Sequence, residues 1–269
     1  MEKYREFLRA NLWAEWQKLE TDQRKQVPPP PPQKPYPEEA VLVDLVAPAY
    51  FTVGQMPLIE AIRRRRSRRR FTEEPLTLEE LSFLLWATPG VVQTQSGPAD
   101  VLWKGVATLR TVPSGGARHP FETYLVVRRV QGFAPGLYRY LPLEHKMCFI
   151  REYAQLAARL DDTWGSRGSL AGGAVVFIWT AIPYRTEWRY GTISPKIIAL
   201  DAGHVCQNLY LACEAIGVGT CAIAAYDQKK VDAIVGVDGR EEFVVYLAPV
   251  GKVERDAGSQ VAGREIGAT

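Results

Sequence analysis

The sequence predicts an α+β protein, and three features carry that prediction. Residues 174–180 (AVVFIWT) and 243–250 (FVVYLAPV) are short, unbroken apolar runs, as expected of strands buried on both faces of a sheet. Residues 121–130 (FETYLVVRRV) have the β-branched and aromatic content of a further strand. Residues 195–216 read as the longest helix: Ile198, Ala202, Val205, Leu209, Ala212 and Ile216 step by four and three and lay one apolar stripe along it. Strands flanked by helices, with one long central helix, define the class. The 269 residues hold one large α/β domain or two small ones, and length alone does not choose between them.

In chain order, residues 1–26 read as an amphipathic helix, with Phe7, Leu8, Leu12, Trp16 and Leu19 near helical spacing. Residues 28–37 are mostly proline and form a stiff, extended spacer that is neither helix nor central strand. The first 55 residues hold too few apolar side chains for a core of their own, so 1–55 is an extension packed on a main domain of residues 56–269. Pro57-Leu-Ile-Glu-Ala-Ile starts a helix with proline in its first turn, running into a block of arginines. Residues 76–86 form a second helix, announced by Thr77-Leu-Glu-Glu, a threonine N-cap with an acid three residues on. Residues 89–120, rich in Pro, Gly, Ser and Thr, are expected to be loop. Gly136-Leu-Tyr-Arg-Tyr and Met147-Cys-Phe-Ile follow the first strand as a hairpin-like pair, and there is no internal repeat.

A formal charge of +3 is too small to demand nucleic acid as a partner. The excess is local, because seven of the eight residues 63–70 are arginine. No apolar run is long enough to span a bilayer, and the first residues lack the apolar core of a secretory signal. Cys148, Cys206, Cys213 and Cys221 show no CxxC spacing, and only three histidines are present, so no structural zinc site is expected. Free, buried thiols suit a reducing cytoplasm, which is the expected location.

Several segments have residues suited to chemistry. Arginine forks bind phosphate oxygens in pairs, so the run 63–70 suits a phosphate if the backbone turns to make the side chains converge. A solvated basic face, or a nucleic-acid or membrane patch, accounts for the same run. Pro113-Ser-Gly-Gly lets backbone approach a flat ligand, and is also an ordinary turn. Gly217 is placed to cap the long helix in the left-handed conformation; close passage of a ligand ring would account for Gly219. Trp188-Arg-Tyr-Gly sets a cation beside a phenol that can exchange a proton, or is simply a packed loop. His204 lies beside the apolar stripe and reads as a packing or capping residue, and neither a Ser-His-Asp order nor a GxGxxG after a strand is present.

Taken together these segments resemble the FMN-dependent nitroreductase-like superfamily, and within it the SagB-type dehydrogenase branch, whose best known members oxidise azoline rings in peptide natural products. The residues that carry the resemblance are Arg65-Arg-Ser-Arg-Arg-Arg-Phe71, Leu81-Ser-Phe-Leu-Leu-Trp-Ala-Thr-Pro-Gly-Val and Arg110-Thr-Val-Pro-Ser-Gly-Gly-Ala-Arg-His-Pro-Phe-Glu-Thr-Tyr. Gly136-Leu-Tyr-Arg-Tyr, Asp201-Ala-Gly-His, Gly217-Val-Gly-Thr and Pro249-Val-Gly-Lys follow in unbroken order. The resemblance implies that Arg65, Arg66, Ser67 and Arg69 hold the phosphate and ribityl chain of FMN. It implies that Pro113, Ser114, Gly115 and Gly116 are lent to the flavin by a second subunit. Gly217, Val218, Gly219 and Thr220 would run near the ring edge, and Lys252 or Arg255 would add a late basic contact to phosphate.

A three-layer fold around a mixed central sheet is implied, as a domain-intertwined homodimer with two composite sites. So is two-electron (hydride) transfer on a small organic or peptide-derived substrate, with NAD(P)H as a possible electron donor. Arg189 and Tyr190 occupy the place of a catalytic Lys-Tyr pair; arginine keeps the charge but removes an easily deprotonated amine. The alternatives are a flavin-holding interaction subunit, docked through the N-terminal extension, and a nucleic-acid-binding protein.

Overall fold

The computed structural model describes residues 2–96, 106–152, 154, 156, 163 and 172–254. Seven strands make the central sheet: β1 (Leu42–Asp44), β4 (Phe121–Val127), β5 (Gly136–Leu141), β6 (Lys146–Glu152), β7 (Val175–Ala181), β8 (Val218–Thr220) and β9 (Phe243–Lys252). Their spatial order is β1-β6-β5-β4-β7-β9-β8. Strands β2 (Val91–Ser96) and β3 (Val106–Arg110) pair separately as a hairpin. Among the described residues five α-helices of seven residues or more follow the same numbering: α1 (Leu58–Arg64), α2 (Leu78–Ala87), α3 (Tyr184–Tyr190), α4 (Ser194–Ala215) and α5 (Gln228–Val235).

Period-two alternation sorts the strand side chains onto two faces. Leu125 and Val127 of β4, with Val175, Phe177 and Trp179 of β7, point into one core with Leu81, Leu84 and Leu85 of α2 and Val205 and Leu209 of α4. Tyr124, Val126, Val176 and Ile178 point the other way, onto Val231, Ile234 and Val235 of α5. Both faces of β7 are therefore covered, which is why its sequence is apolar throughout. The result is three layers with the sheet in the middle. Among the described residues no helix is long and apolar enough to cross a membrane.

Helix α2 starts where its sequence says. Thr77 Oγ1 accepts from Glu80 N (3.1 Å), and Glu80 Oε2 accepts from Thr77 N (2.9 Å), so both sides of a capping box are made. Other expectations are corrected. Among the described residues the parallel component of the mixed sheet is limited to single bridges, Ser67 to Thr220 and Leu76 to Val130, since every ladder among the named strands is antiparallel. The loop expected over 89–120 contains the β2–β3 hairpin, whose β-branched residues are diluted by the Pro- and Gly-rich sequence around them. Trp188 to Tyr190 end a helix rather than forming a loop.

The N-terminal helix is broken into one α turn, Glu2–Arg5, and two 3-10 segments, Glu6–Leu8 and Asn11–Lys18. Phe7, Leu8 and Leu12 stay exposed, so a long helix would gain no buried face, and packing is what stabilises most helices. In the tighter 3-10 turn residues three apart eclipse, which sets the Trp13 and Trp16 rings 5.8 Å apart.

Residues 28–37 have no regular structure, and an extended proline-rich chain makes no internal hydrogen bonds. The sheet supplies the missing partners. Arg110 donates to Pro32 O (2.7 Å) and Arg139 to Pro35 O (2.9 Å), while Lys34 N donates to Glu122 Oε1 (2.8 Å). Lys34 Nζ meets Glu242 Oε2 at 2.6 Å. Glu122 is the centre of this network: it sits on β4, fully buried, 2.5 Å from Arg185 Nη2 and 3.9 Å from Arg139 Nη1.

Removing one member of a buried ion pair leaves the other uncompensated. Glu122→Gln should therefore lower stability by about 3–5 kcal/mol in urea unfolding. A loss under 1 kcal/mol would show that the arginines are solvated despite their burial.

Candidate functional site

Helix α1 ends at the arginines because Arg65 turns out of helical geometry (φ −46°, ψ 121°) while its N–H still reaches Ala61 O (3.0 Å). The chain then runs extended beside β8. Ser67 bridges Thr220, and Arg68 N donates to Thr220 O (2.9 Å), so the arginine run and the segment Gly217–Thr220 are neighbours in space. Glu214, near the end of α4, steadies the turn: it accepts from Arg66 N (3.2 Å) and lies 3.6 Å from Arg68 Nε. Ser67 Oγ is 3.1 Å from Tyr210 OH, and the Arg65 guanidinium lies 5.5 Å from the Tyr210 ring centre. Arg63 and Arg64 are paired with Glu60 on their own helix.

Arg66, Ser67 and Arg69 are exposed and Arg65 is half-buried. Arg66 Nη1 donates to the carbonyls of Arg63 and Arg65 (3.1 and 2.8 Å). Three guanidiniums and a hydroxyl on one short extended segment are a donor set that fits a phosphate dianion.

Gly217 takes the left-handed conformation (φ +73°) just past the helix, as a capping glycine should. Gly219 has a packing reason of its own, beside the close ligand approach expected of it. A Cβ there would stand 2.5 Å from Val253 Cγ1 and 2.8 Å from Arg68 Cβ, so the arginine segment itself requires the glycine. Val218 and Thr220 are buried, and Thr220 Oγ1 donates inward to Pro249 O (2.9 Å). Lys252 Nζ lies 2.5 Å from Glu80 Oε1, which ties the end of β9 to the capping box of α2. Arg255 lies outside the described residues.

The second group forms at the other end of α4. Asp201 accepts from Ser114 Oγ (2.6 Å) and from Gly115 N (3.1 Å), and Ser114 Oγ accepts in turn from His119 N (2.9 Å). Pro113 stays exposed at the head of this loop. Gly115 leaves no room for a Cβ against Ile197 of α4. Gly116 is left-handed (φ +58°), and a Cβ there would be 2.7 Å from Tyr190 OH and 2.9 Å from Arg189 Cδ. Both glycines are thus needed for close packing, and the loop is set directly on Arg189 and Tyr190. Asp201 organises it; its pattern, an acid on the stripe-bearing helix, carried no signal of this role beyond its place in Asp201-Ala-Gly-His. Burial raises the Asp201 pKa despite the two hydrogen bonds that oppose the shift. Arg118 stacks over Trp188 (5.1 Å), and burial together with the Arg189 charge lowers its pKa to about 10. His204 is exposed, 3.9 Å from Asp201.

The two groups are well separated within one chain: α4 rises about 20 Å between Asp201 and Glu214. The three-layer α+β fold thus holds an arginine segment at one end of the long helix and a glycine loop beside a phenol at the other. The chain belongs to the nitroreductase family, whose model matches residues 62–252.

A Methanocaldococcus jannaschii protein named as a nitroreductase is 32% identical over 212 residues, which is 74% of this chain and 95% of that protein. The trifolitoxin-processing protein TfxB of Rhizobium leguminosarum bv. trifolii is 30% identical over 135 residues, 48% of this chain and 36% of TfxB. The crystal structure of an Anabaena variabilis protein named as a nitroreductase superposes with a TM-score of 0.65 at 22% identity, over 88% of this chain and 43% of the Anabaena protein. The chain therefore spans less than half the length of the latter two.

Burial, then the charge of Arg110, depresses the His119 pKa from 6.5 to about 3. The unfolded chain takes up a proton below its own pKa near 6.5 that the folded chain refuses. Stability should thus fall as pH drops from about 6.5 towards 3, by about 1.4 kcal/mol per unit. Urea unfolding at pH 7 and pH 5 should differ by about 2 kcal/mol more in the wild type than in His119→Gln. Equal pH slopes would rule out a buried neutral imidazole.

Proposed function

We propose that the chain is an FMN-dependent oxidoreductase of the SagB-type dehydrogenase branch, working as a homodimer on a small organic or peptide-derived substrate. The observation that carries this reading is the division of the site. Within one subunit the arginine segment and the glycine loop are held at opposite ends of α4, and a second subunit lending its loop would bring the two together. In this reading residues 1–55 are an extension and residues 56–269 the FMN-binding domain.

Bound FMN would supply two-electron (hydride) chemistry, with NAD(P)H or a substrate as the source of electrons. The protein binds and orients. Arg65, Arg66 and Arg69 hold the phosphate as charged forks, and Ser67 offers its hydroxyl to the ribityl chain. Gly217, Val218, Gly219 and Thr220 support that segment from behind and approach the ring edge, while Lys252 acts through Glu80. Pro113, Ser114, Gly115 and Gly116 line the other subunit's site. Tyr190 has a hydroxyl that can hold or deliver a proton at the substrate, and the Arg189 guanidinium would orient anionic groups beside it. Sequence similarity to a trifolitoxin-processing protein supports a peptide-derived substrate.

Arg66→Ala and Arg69→Ala should each weaken FMN binding by about 1.5–3 kcal/mol, the range for hydrogen bonds to charged groups. Flavin absorbance of the purified proteins and FMN titration measure this; full occupancy in both variants would refute the phosphate assignment. Sedimentation of the yellow protein as a monomer would refute the composite site.

A further inference from the structure

Residues 113–119 form a loop whose shape must be held from outside. Gly116 is left-handed, and so are Ala117 (φ +53°) and His119 (φ +47°), which carry side chains. Residues other than glycine are strained there and persist only where their surroundings hold them. Within the loop, Ala117 N donates to Ser114 O (2.9 Å) and Arg118 N to Gly115 O (3.3 Å), which closes the turn without anchoring it.

One carboxylate supplies the anchor. Asp201 Oδ2 accepts from Ser114 Oγ (2.6 Å), and both carboxylate oxygens are within reach of Gly115 N (3.1 and 3.2 Å). Ser114 Oγ accepts in turn from His119 N (2.9 Å), so the same group governs both ends of the strained stretch. Asp201 is 3% exposed and lies between Ile198 and Val205 on the buried face of α4, three residues from one and four from the other. A carboxylate buried there is costly unless it is hydrogen-bonded, and the loop provides the bonds. An apolar residue would serve the packing of α4; the acid serves the loop.

The purpose of this hold lies outside the subunit. Residues 114–118 are half-buried rather than sealed in the core, so the held backbone still has a free side. The arginine segment of the same chain stands at the far end of α4, out of reach. We propose that Asp201 is a positioning residue for the flavin site of the partner subunit: it sets the shape of loop 113–119, and the loop completes the other subunit's site. The proposal rests on the reading that one subunit lends this loop to the other's FMN. Asp201 itself touches no flavin in this arrangement and acts through Ser114 and Gly115.

Mixed dimers of the full-length chain test this, because the two parts of each site then come from different variants. Asp201→Ala homodimers should bind FMN about tenfold more weakly than wild type, a loss the size of one hydrogen bond. Asp201→Asn keeps the size of the side chain and one oxygen acceptor; it should recover part of that loss, and it takes the place of Asp201→Ala if the latter does not fold. Dimers with Asp201→Ala in one subunit, and Arg66→Ala with Arg69→Ala in the other, are isolated through two affinity tags, stripped of flavin and titrated with FMN by fluorescence quenching. One site of such a dimer combines both lesions. The other joins intact arginines to an intact loop and should bind FMN with wild-type affinity, at half the wild-type stoichiometry.

Wild-type FMN affinity in the Asp201→Ala and Asp201→Asn homodimers would overturn the role of Asp201 and leave the composite site standing. Weak homodimers whose mixed dimer holds no wild-type site would show that Asp201 serves its own subunit, which overturns the inference together with the lent loop beneath it. Dissociation of Asp201→Asn into monomers would make Asp201 a residue of dimer assembly, against the proposal. A wild-type protein that takes up no FMN would overturn both the inference and the reading on which it rests.

Discussion

The carboxylate of Glu122 is the point on which the rest of the molecule is hung. It lies on β4 at the centre of the sheet, and three arginines and a backbone amide converge around it from four directions. Arg185 brings in α3, Arg139 comes from β5, and Arg110 from β3 at the head of the glycine loop. Lys34 brings in the proline-rich strap. Burial, and then the neighbouring Arg185 charge, lower the Arg110 pKa to about 10, because this interior is both dry and crowded with positive charge. One acidic group could not balance it. The carbonyls of Pro32 and Pro35 accept from Arg110 and Arg139 and satisfy these buried donors, so the strap is part of the polar interior and not a covering laid over it.

Much of the fold was legible because its signals are local. The capping box at Thr77 and Glu80 needs four residues, the α4 stripe needs its own turns, and β7 announces its double burial in seven residues. What escaped depends on partners distant in sequence. The N-terminal segment has helical spacing, yet its geometry is set by what α3 offers it. The β2–β3 hairpin is hidden by the composition of its surroundings. Strand β8 is only three residues long and exists because β9 and the arginine segment enclose it.

The candidate site divides in the same way. The arginine run and the glycine loop could be named from residue type alone. Their internal division of labour could not, since it rests on contacts. Arg63 and Arg64 are taken by Glu60, Arg68 is drawn to Glu214, and Lys252 to Glu80, which leaves Arg66, Arg69 and Arg70 exposed with Ser67, and Arg65 half-buried over Tyr210. Likewise Gly219 is small for the sake of Arg68, and the role of Asp201 appears only when Ser114 and Gly115 are seen to lean on it. Long helix α4 serves as a ruler between these two halves, holding them at a fixed separation within the subunit.

The strap is read through its backbone, and that has a consequence for how this chain can diverge. The carbonyls of Pro32 and Pro35, three residues apart, meet the guanidiniums of Arg110 and Arg139. Carbonyl oxygens are alike in every residue, and many substitutions across the strap would leave both contacts intact. An inserted or deleted residue between them would move one carbonyl off its partner and strand a buried guanidinium. Relatives that share this interior should therefore vary freely in the letters of the strap while keeping its count.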